Sequence, residues 1–160
     1  MIIKALLLAL LMFLLTSGYG FASAEDALPV AIKSLIKQKK AAEVEKEALA
    51  LSQAGNNFLA HLAYGEGYLL TGDLDKAEIA FKKAMELNPI GIEGKIGLAK
   101  TLAARQEAPQ ARQLLQDALR TSPHPERLYY EMGLIMEAAG DIEGAAQLFE
   151  QGLERYFSKK

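Results

Sequence analysis

The chain has 160 residues with 18 basic and 20 acidic side chains, which gives a net charge of −2, and it contains no cysteine. A charge this close to balance gives no support for binding to nucleic acids or to anionic membranes. Without cysteine there are no disulfide bonds, no thiol redox chemistry and no cysteine-linked lipid anchor, so we expect packed helices to supply the stability.

The first 24 residues have the pattern of a secretory signal peptide. Lys4 provides a basic start, residues 5–15 form an apolar run, and Ala22-Ser23-Ala24 matches a small-residue cleavage site. The apolar run is too short to cross a bilayer core of about 30 Å comfortably. We predict cleavage after Ala24 and export to the periplasm of a bacterium; the alternative is that the segment stays on the protein as an uncleaved anchor.

Residues 25–57 have helical spacing but fit the pattern of the rest of the chain poorly. Two apolar stripes flank a basic break at residues 37–40, with Leu28, Ile32, Leu35 and Ile36 before it and Ala41, Val44, Ala48 and Leu51 after it. We predict a degenerate helix pair that caps one end of a stack of repeats, because end repeats are commonly atypical. A single helix from Pro29 to Ala54 is the alternative, since no glycine or proline interrupts that stretch.

From residue 58 onwards one pattern occurs three times. Ala77, Ala111 and Ala145 are each 34 residues apart, and three further sets keep that step: Gly65, Ala99 and Gly133; Tyr68, Leu102 and Met136; Phe81, Leu115 and Phe149. The small residues allow two helices to approach closely, and the large ones fill the space between paired helices. Gly72-Asp73 and Gly140-Asp141 predict turns in which glycine ends one helix and aspartate caps the next. Gln106-Glu107 replaces that turn in the middle unit.

This period resembles the tetratricopeptide repeat, a helix–turn–helix unit, and the chain looks like an exported bacterial protein of that type. The resemblance implies an all-α fold: an α-solenoid, a right-handed superhelix of antiparallel helix pairs. Its three clear units are residues 58–91, 92–125 and 126–160, and the degenerate pair at 25–57 precedes them.

Proteins of this family bind ligands mainly on the concave face, which the first helix of each pair lines. The resemblance implies that twelve residues line this groove: Leu59, Leu62, Glu66 and Leu69; Glu93, Ile96, Lys100 and Ala103; Arg127, Tyr130, Leu134 and Glu137. Their spacing of +3, +4, +3 forms one stripe per helix, with an apolar centre that suits an extended peptide or an amphipathic helix. The alternative is that the apolar members only pack against neighbouring first helices or the amino-terminal helix pair. The Lys, Asn and Arg clamp that grips carboxyl-terminal tails is missing.

The carboxyl-terminal end is a second candidate interface. Ile142, Phe149, Leu153, Tyr156 and Phe157 would leave part of an apolar face uncovered, which suggests a weak homodimer or docking onto a larger partner. The alternative is that Phe149 and Leu153 pack inside their own unit while Tyr156 and Phe157 fold over the end.

Nothing in the sequence favours catalysis, and we expect no metal and no cofactor. His61 and His124 share no ligand spacing with carboxylates, and Asp73, Asp75 and Glu78 lack the glycine and further ligands of a calcium loop. The resemblance implies a non-enzymatic scaffold or adaptor of the cell envelope that binds a protein partner, not nucleic acid, and touches membrane only through that partner or an uncleaved signal segment. The alternative is a permanent structural subunit of secretion, pilus, division or cytochrome-maturation machinery.

Overall fold

The computed structural model describes residues 27–122 and 125–158, and within these ranges it contains eight α-helices and no strand. The helices are α1 (Val30–Lys37), α2 (Ala41–Gln53), α3 (Asn57–Thr71), α4 (Leu74–Leu87), α5 (Glu93–Ala104), α6 (Ala108–Leu119), α7 (Pro125–Ala138) and α8 (Ile142–Ser158). None of these helices combines the length and the apolar character needed to cross a membrane. The predicted signal peptide and His124 lie outside the described residues.

Each helix pair turns through a residue with left-handed backbone. Gly72 and Gly140 take φ values of 78° and 86°, which glycine adopts without a steric penalty. Asp73 then accepts a hydrogen bond from the Lys76 backbone N–H at 3.2 Å, and Asp141 accepts one from Gly144 N–H at 2.8 Å. The predicted glycine stops and aspartate caps are therefore confirmed.

Two pairs make the same turn without glycine. Gln106 has φ 66° between α5 and α6, and Lys39 has φ 56° between α1 and α2. The chain is thus broken into two helices where a single helix from Pro29 to Ala54 was the alternative. Because a side chain disfavours this conformation, we attribute it to the packing of the flanking helices.

The helices pack in two layers. Every helix contacts the next one along the chain, and the first helices of successive pairs, α1, α3, α5 and α7, also contact each other side by side. This arrangement of antiparallel helix pairs in series is an all-α solenoid, and the predicted fold class is confirmed.

Glycines at the helix contacts bring the backbones close to large buried rings. A Cβ atom at Gly65 would lie 2.5 Å from the Phe81 ring, and one at Gly97 would lie 2.2 Å from the same ring. Phe81 is 1% exposed, so its ring is held between its own pair and the next. Gly133 has the same relation to Phe149 in the last pair, at 2.4 Å. Hence the small residues of the 34-residue pattern set the distance between helices.

Candidate functional site

The first-helix stripe, meaning the twelve groove residues proposed from the sequence, is only partly accessible in the structure. Eight of its members are partly exposed: Leu59, Leu69, Glu93, Lys100, Ala103, Tyr130, Leu134 and Glu137. Four are buried: Leu62, Glu66, Ile96 and Arg127. The surface that remains runs along α3, α5 and α7, with leucines near its ends and Tyr130 within it.

The predicted apolar centre of the groove needs a correction at Leu62 and Ile96. Their exposures are 2% and 0%, and each belongs to a hydrophobic core cluster. The physical reason is that α5 contacts both α3 and α7, so the sides of the first helices cover one another. Tyr130 occupies the same repeat position in α7 and is partly exposed, because no further helix packs beside α7 within the described residues. A partner would therefore meet Tyr130 and Leu134 rather than Leu62 and Ile96.

The charged members of the stripe form ion pairs between neighbouring first helices. Lys100 Nζ lies 3.6 Å from Glu66 Oε1, joining α5 to α3, and Arg127 Nη1 lies 3.5 Å from Glu93 Oε1, joining α7 to α5. Glu66 and Arg127 are buried, at 7% and 5% exposure. Removing one partner of a buried pair leaves an uncompensated charge, which in general costs about 3–5 kcal/mol. These pairs therefore connect neighbouring first helices, and their partly exposed halves, Lys100 and Glu93, remain on the surface.

Tyr130 links the stripe to the last helix. Its ring lies 5.7 Å from the Phe149 ring, measured between centroids. Burial raises the pKa of the Tyr130 hydroxyl, and the nearby carboxylates of Glu131 and Glu137 raise it further, while Lys100 has the opposite effect. The hydroxyl therefore stays protonated at neutral pH and can donate or accept a hydrogen bond within the stripe.

Of the second candidate interface, the structure leaves some residues exposed and buries others. Ile142 and Phe157 are 54% and 62% exposed, and Leu153 and Tyr156 are partly exposed. Phe149 is only 6% exposed, because its ring packs against Gly133 and Tyr130. Phe149 is thus a core residue of the α7–α8 pair, and the expectation that it contributes to an uncovered face is wrong.

The acidic side chains that could have been metal ligands have other partners in the structure. Asp73 caps α4, and both Asp75 and Glu78 form ion pairs with Arg105. Within the described residues, no three His, Cys, Asp or Glu side chains are grouped as metal ligands would be. His61 lies on α3 beside Tyr64, with ring centroids 6.3 Å apart, and burial lowers its pKa.

Sequence reasoning missed the ion-pair cluster around Arg105. This residue ends α5, and its guanidinium binds Asp75 and Glu78 at the start of the preceding second helix, α4. Glu78 also pairs with Lys82 at 2.6 Å. A signal was present, since Arg105 follows the two carboxylates by 30 and 27 residues, slightly less than one repeat. It could have been read only with the packing of consecutive pairs in hand.

Comparison with known proteins agrees with this architecture. Residues 72–131 match the family model described as the tetratricopeptide repeat, and no curated protein matches the chain. The chain is similar to one in the crystal structure of the APC/C hetero-tetramer Cut9-Hcn1, with a TM-score of 0.64 and 22% identity, over 93% of this chain and 28% of that one. It is also similar to the crystal structure of MamA, with a TM-score of 0.53 and 18% identity, over 81% of this chain and 86% of that one.

At identities of 22% and 18%, the similarity to these two structures supports the fold of the chain and no more. The chain spans just over a quarter of the length of the Cut9-Hcn1 chain that it matches. Together with the family match, these similarities support a tetratricopeptide repeat protein, as the 34-residue period suggested.

Proposed function

We propose that the protein is a non-enzymatic scaffold or adaptor that binds a peptide or an amphipathic helix of a partner protein along its first-helix stripe. The tetratricopeptide fold supports a role in protein–protein interaction. The observation that carries the location is the row of partly exposed apolar side chains on α3 and α7: Leu59, Leu69, Tyr130 and Leu134.

The chemistry of this surface suits a segment with apolar anchors. Leucine and tyrosine side chains exclude water when a partner's apolar residue packs on them, and a stripe at helical spacing accepts anchors that recur at similar intervals. Lys100 and Glu93 lie between the apolar ends, each already compensated by an ion pair with a neighbouring helix. Polar groups of the partner would therefore add to specificity, and the apolar contacts would supply most of the affinity.

The proposal is tested by photocrosslinking from a photoreactive residue at Ala103, a partly exposed stripe position on α5. We expect the captured protein to be lost when Leu134→Glu places a charge in the stripe. Ile79→Glu is the matched control, because Ile79 is 69% exposed on the second helix α4 and its substitution should leave capture unchanged. The captured protein is then purified and titrated against the full chain by calorimetry.

Binding that weakens at least about tenfold in Leu134→Glu and not in Ile79→Glu supports the stripe, since a lost apolar anchor is worth roughly 1.5–3 kcal/mol. Equal affinity of both variants would contradict it. Circular dichroism of the two variants checks that both remain folded.

The cell envelope is the proposed location, motivated by the signal-peptide pattern of residues 1–24. A protein from the periplasmic fraction whose amino-terminal sequence begins at Glu25 would agree with it. A protein found in the cytosol with Met1 intact would overturn it.

A permanent structural subunit of a larger envelope complex is the second candidate. The exposure of Ile142 and Phe157 on α8 favours it, because these large apolar side chains offer a contact apart from the stripe. A permanent subunit should aggregate or unfold when purified alone, whereas an adaptor should purify as a stable monomer or weak homodimer.

A further inference from the structure

A pocket lies among the last three helices, between α6 and α8, and α7 forms part of its wall. Its volume is about 440 Å³, within the usual range of ligand pockets. Leu119 and Tyr129 are partly exposed and provide apolar surface, Met132 and Leu148 are buried at its base, and Arg112, Gln116 and Gln147 provide polar groups. Most of its lining residues lie on the second helices α6 and α8, and none of them belongs to the first-helix stripe. We refer to it as the α6–α8 cleft.

Arg112 is the cation of this cleft, and its hydrogen-bonding capacity is not fully used. Its Nε atom is buried and has no hydrogen-bond partner among the described residues. Two carboxylates also line the cleft, but neither forms an ion pair with Arg112 in the described part of the chain. Asp141 caps α8 through the Gly144 N–H, and Glu143 is exposed. A guanidinium offers five N–H donors in a fixed fork, which a carboxylate matches with two oxygens.

In the preceding repeat, the residue at the position equivalent to Arg112 has a charged partner. Glu78 lies 34 residues before Arg112, and its carboxylate is bound by Arg105 from the end of the next first helix. One repeat later the charge is reversed, since Arg112 stands where Glu78 did. The residue equivalent to Arg105 is Ala139, which has no charged group to offer. The α6–α8 cleft therefore corresponds to that junction, but the end of the next first helix supplies no charged partner there.

We propose that the α6–α8 cleft binds an extended peptide segment of a partner protein, with one Asp or Glu carboxylate paired to Arg112. A neighbouring apolar side chain of that segment packs on Leu119 and Tyr129, the partly exposed apolar residues of the lining. The amides of Gln116 and Gln147 are suited to the main-chain N–H and C=O groups of an extended segment. Because Asp141 and Glu143 make the rim negative, the flanking residues of the segment are neutral or basic.

Two pools of acetylated and amidated pentapeptides test this proposal on the full chain. One pool has Glu at the centre and Leu, Ala, Gln or Lys at the flanking positions, and the other has Gln at the centre with the same flanks. Nitrogen-15 NMR of the protein is recorded during titration with each pool. We expect saturable shifts in α6 and α8, with the Glu pool binding about tenfold more tightly, as a charge-assisted pair provides.

Arg112→Gln should remove the preference for the Glu pool. Arg120→Gln is the matched control, because Arg120 is exposed just after the same helix and does not line the cleft; it should keep the preference. Equal binding of the two pools to the unaltered protein would overturn the proposal without reliance on any variant. Shifts confined to α3, α5 and α7, or the absence of saturable shifts, would overturn it as well. Since the first-helix stripe is a separate surface, none of these results decides its role.

Discussion

Replacing Gly97 with alanine should destabilise the protein, although alanine is the better helix former. A Cβ atom at this position in α5 would lie 2.2 Å from two atoms of the Phe81 ring, far inside the 3.4–4 Å of ordinary van der Waals contact. The ring cannot move away freely, because it is 1% exposed and Gly65 contacts it from its own helix pair. The methyl group must therefore push α5 away from α4.

The expected loss follows from two opposing effects. Alanine gains about 1 kcal/mol over glycine inside a helix. Inserting a carbon into a packed core costs about 1–3 kcal/mol, and an overlap with a buried ring lies at the upper end of that range. The net loss in the free energy of unfolding should be about 2 kcal/mol. For a chain of this length, such a loss lowers the melting temperature by about 4–8 °C.

Urea unfolding followed by circular dichroism at 222 nm measures this change. Gly67→Ala is the matched control, because a Cβ there would lie 3.2 Å from Cγ of Glu45, a flexible side chain that can move. We expect that control to be neutral or stabilising by up to about 1 kcal/mol. Phe81→Leu should cost less in the Gly97→Ala background than alone, because it makes room for the methyl group. A Gly97→Ala protein as stable as the original, or no less stable than Gly67→Ala, would refute the reasoning.

Two further predictions concern the ion pairs and the last helix. Hydrogen bonds from Lys82 and then from Arg105 hold the pKa of Glu78 below its ordinary 4.5, so its contribution to stability is present above that value and lost as the pH falls through the lower folded pKa. Urea midpoints of the original and Glu78→Gln proteins should differ at neutral pH and converge in acid below the folded pKa; a difference unchanged in acid would contradict this. Phe157→Glu should abolish any weak homodimer seen by sedimentation at high concentration, whereas Ile79→Glu should not, and a monomeric original protein would exclude the dimer.

Local chemistry made the turns predictable from the sequence. Glycine followed by aspartate at residues 72–73 and 140–141 specifies both the left-handed residue and the cap, and the structure has both. The turn at Gln106 carries no such signal, because glutamine has no preference for the left-handed backbone that it adopts there. The small residues at the 34-residue step were equally informative, since close helix contact leaves room for little else.

The stripe was harder to predict, because helical spacing shows which face of a helix a residue lies on but not how deeply that residue is buried. Leu62, Ile96 and Tyr130 occupy one repeat position, and their spacing gives no sign that the first two are core residues and the third is at the surface. That difference depends on whether another first helix packs alongside. The ion pairs had a usable signal, since Glu66 and Lys100 are opposite charges exactly one repeat apart, and so are Glu93 and Arg127.

The same rule explains why the α6–α8 cleft could be seen only with the structure. In a repeat protein, equivalent positions meet equivalent neighbours, so a charge in one unit can be judged by what balances it in another. Glu78 has Arg105, whereas Arg112, one repeat later, faces a junction in which Ala139 supplies no charge. The sequence shows each of these residues but not that they belong to one contact. Once the packing of consecutive pairs is known, the imbalance at Arg112 marks a place where the chain departs from its own pattern, and a carboxylate from another molecule would restore it.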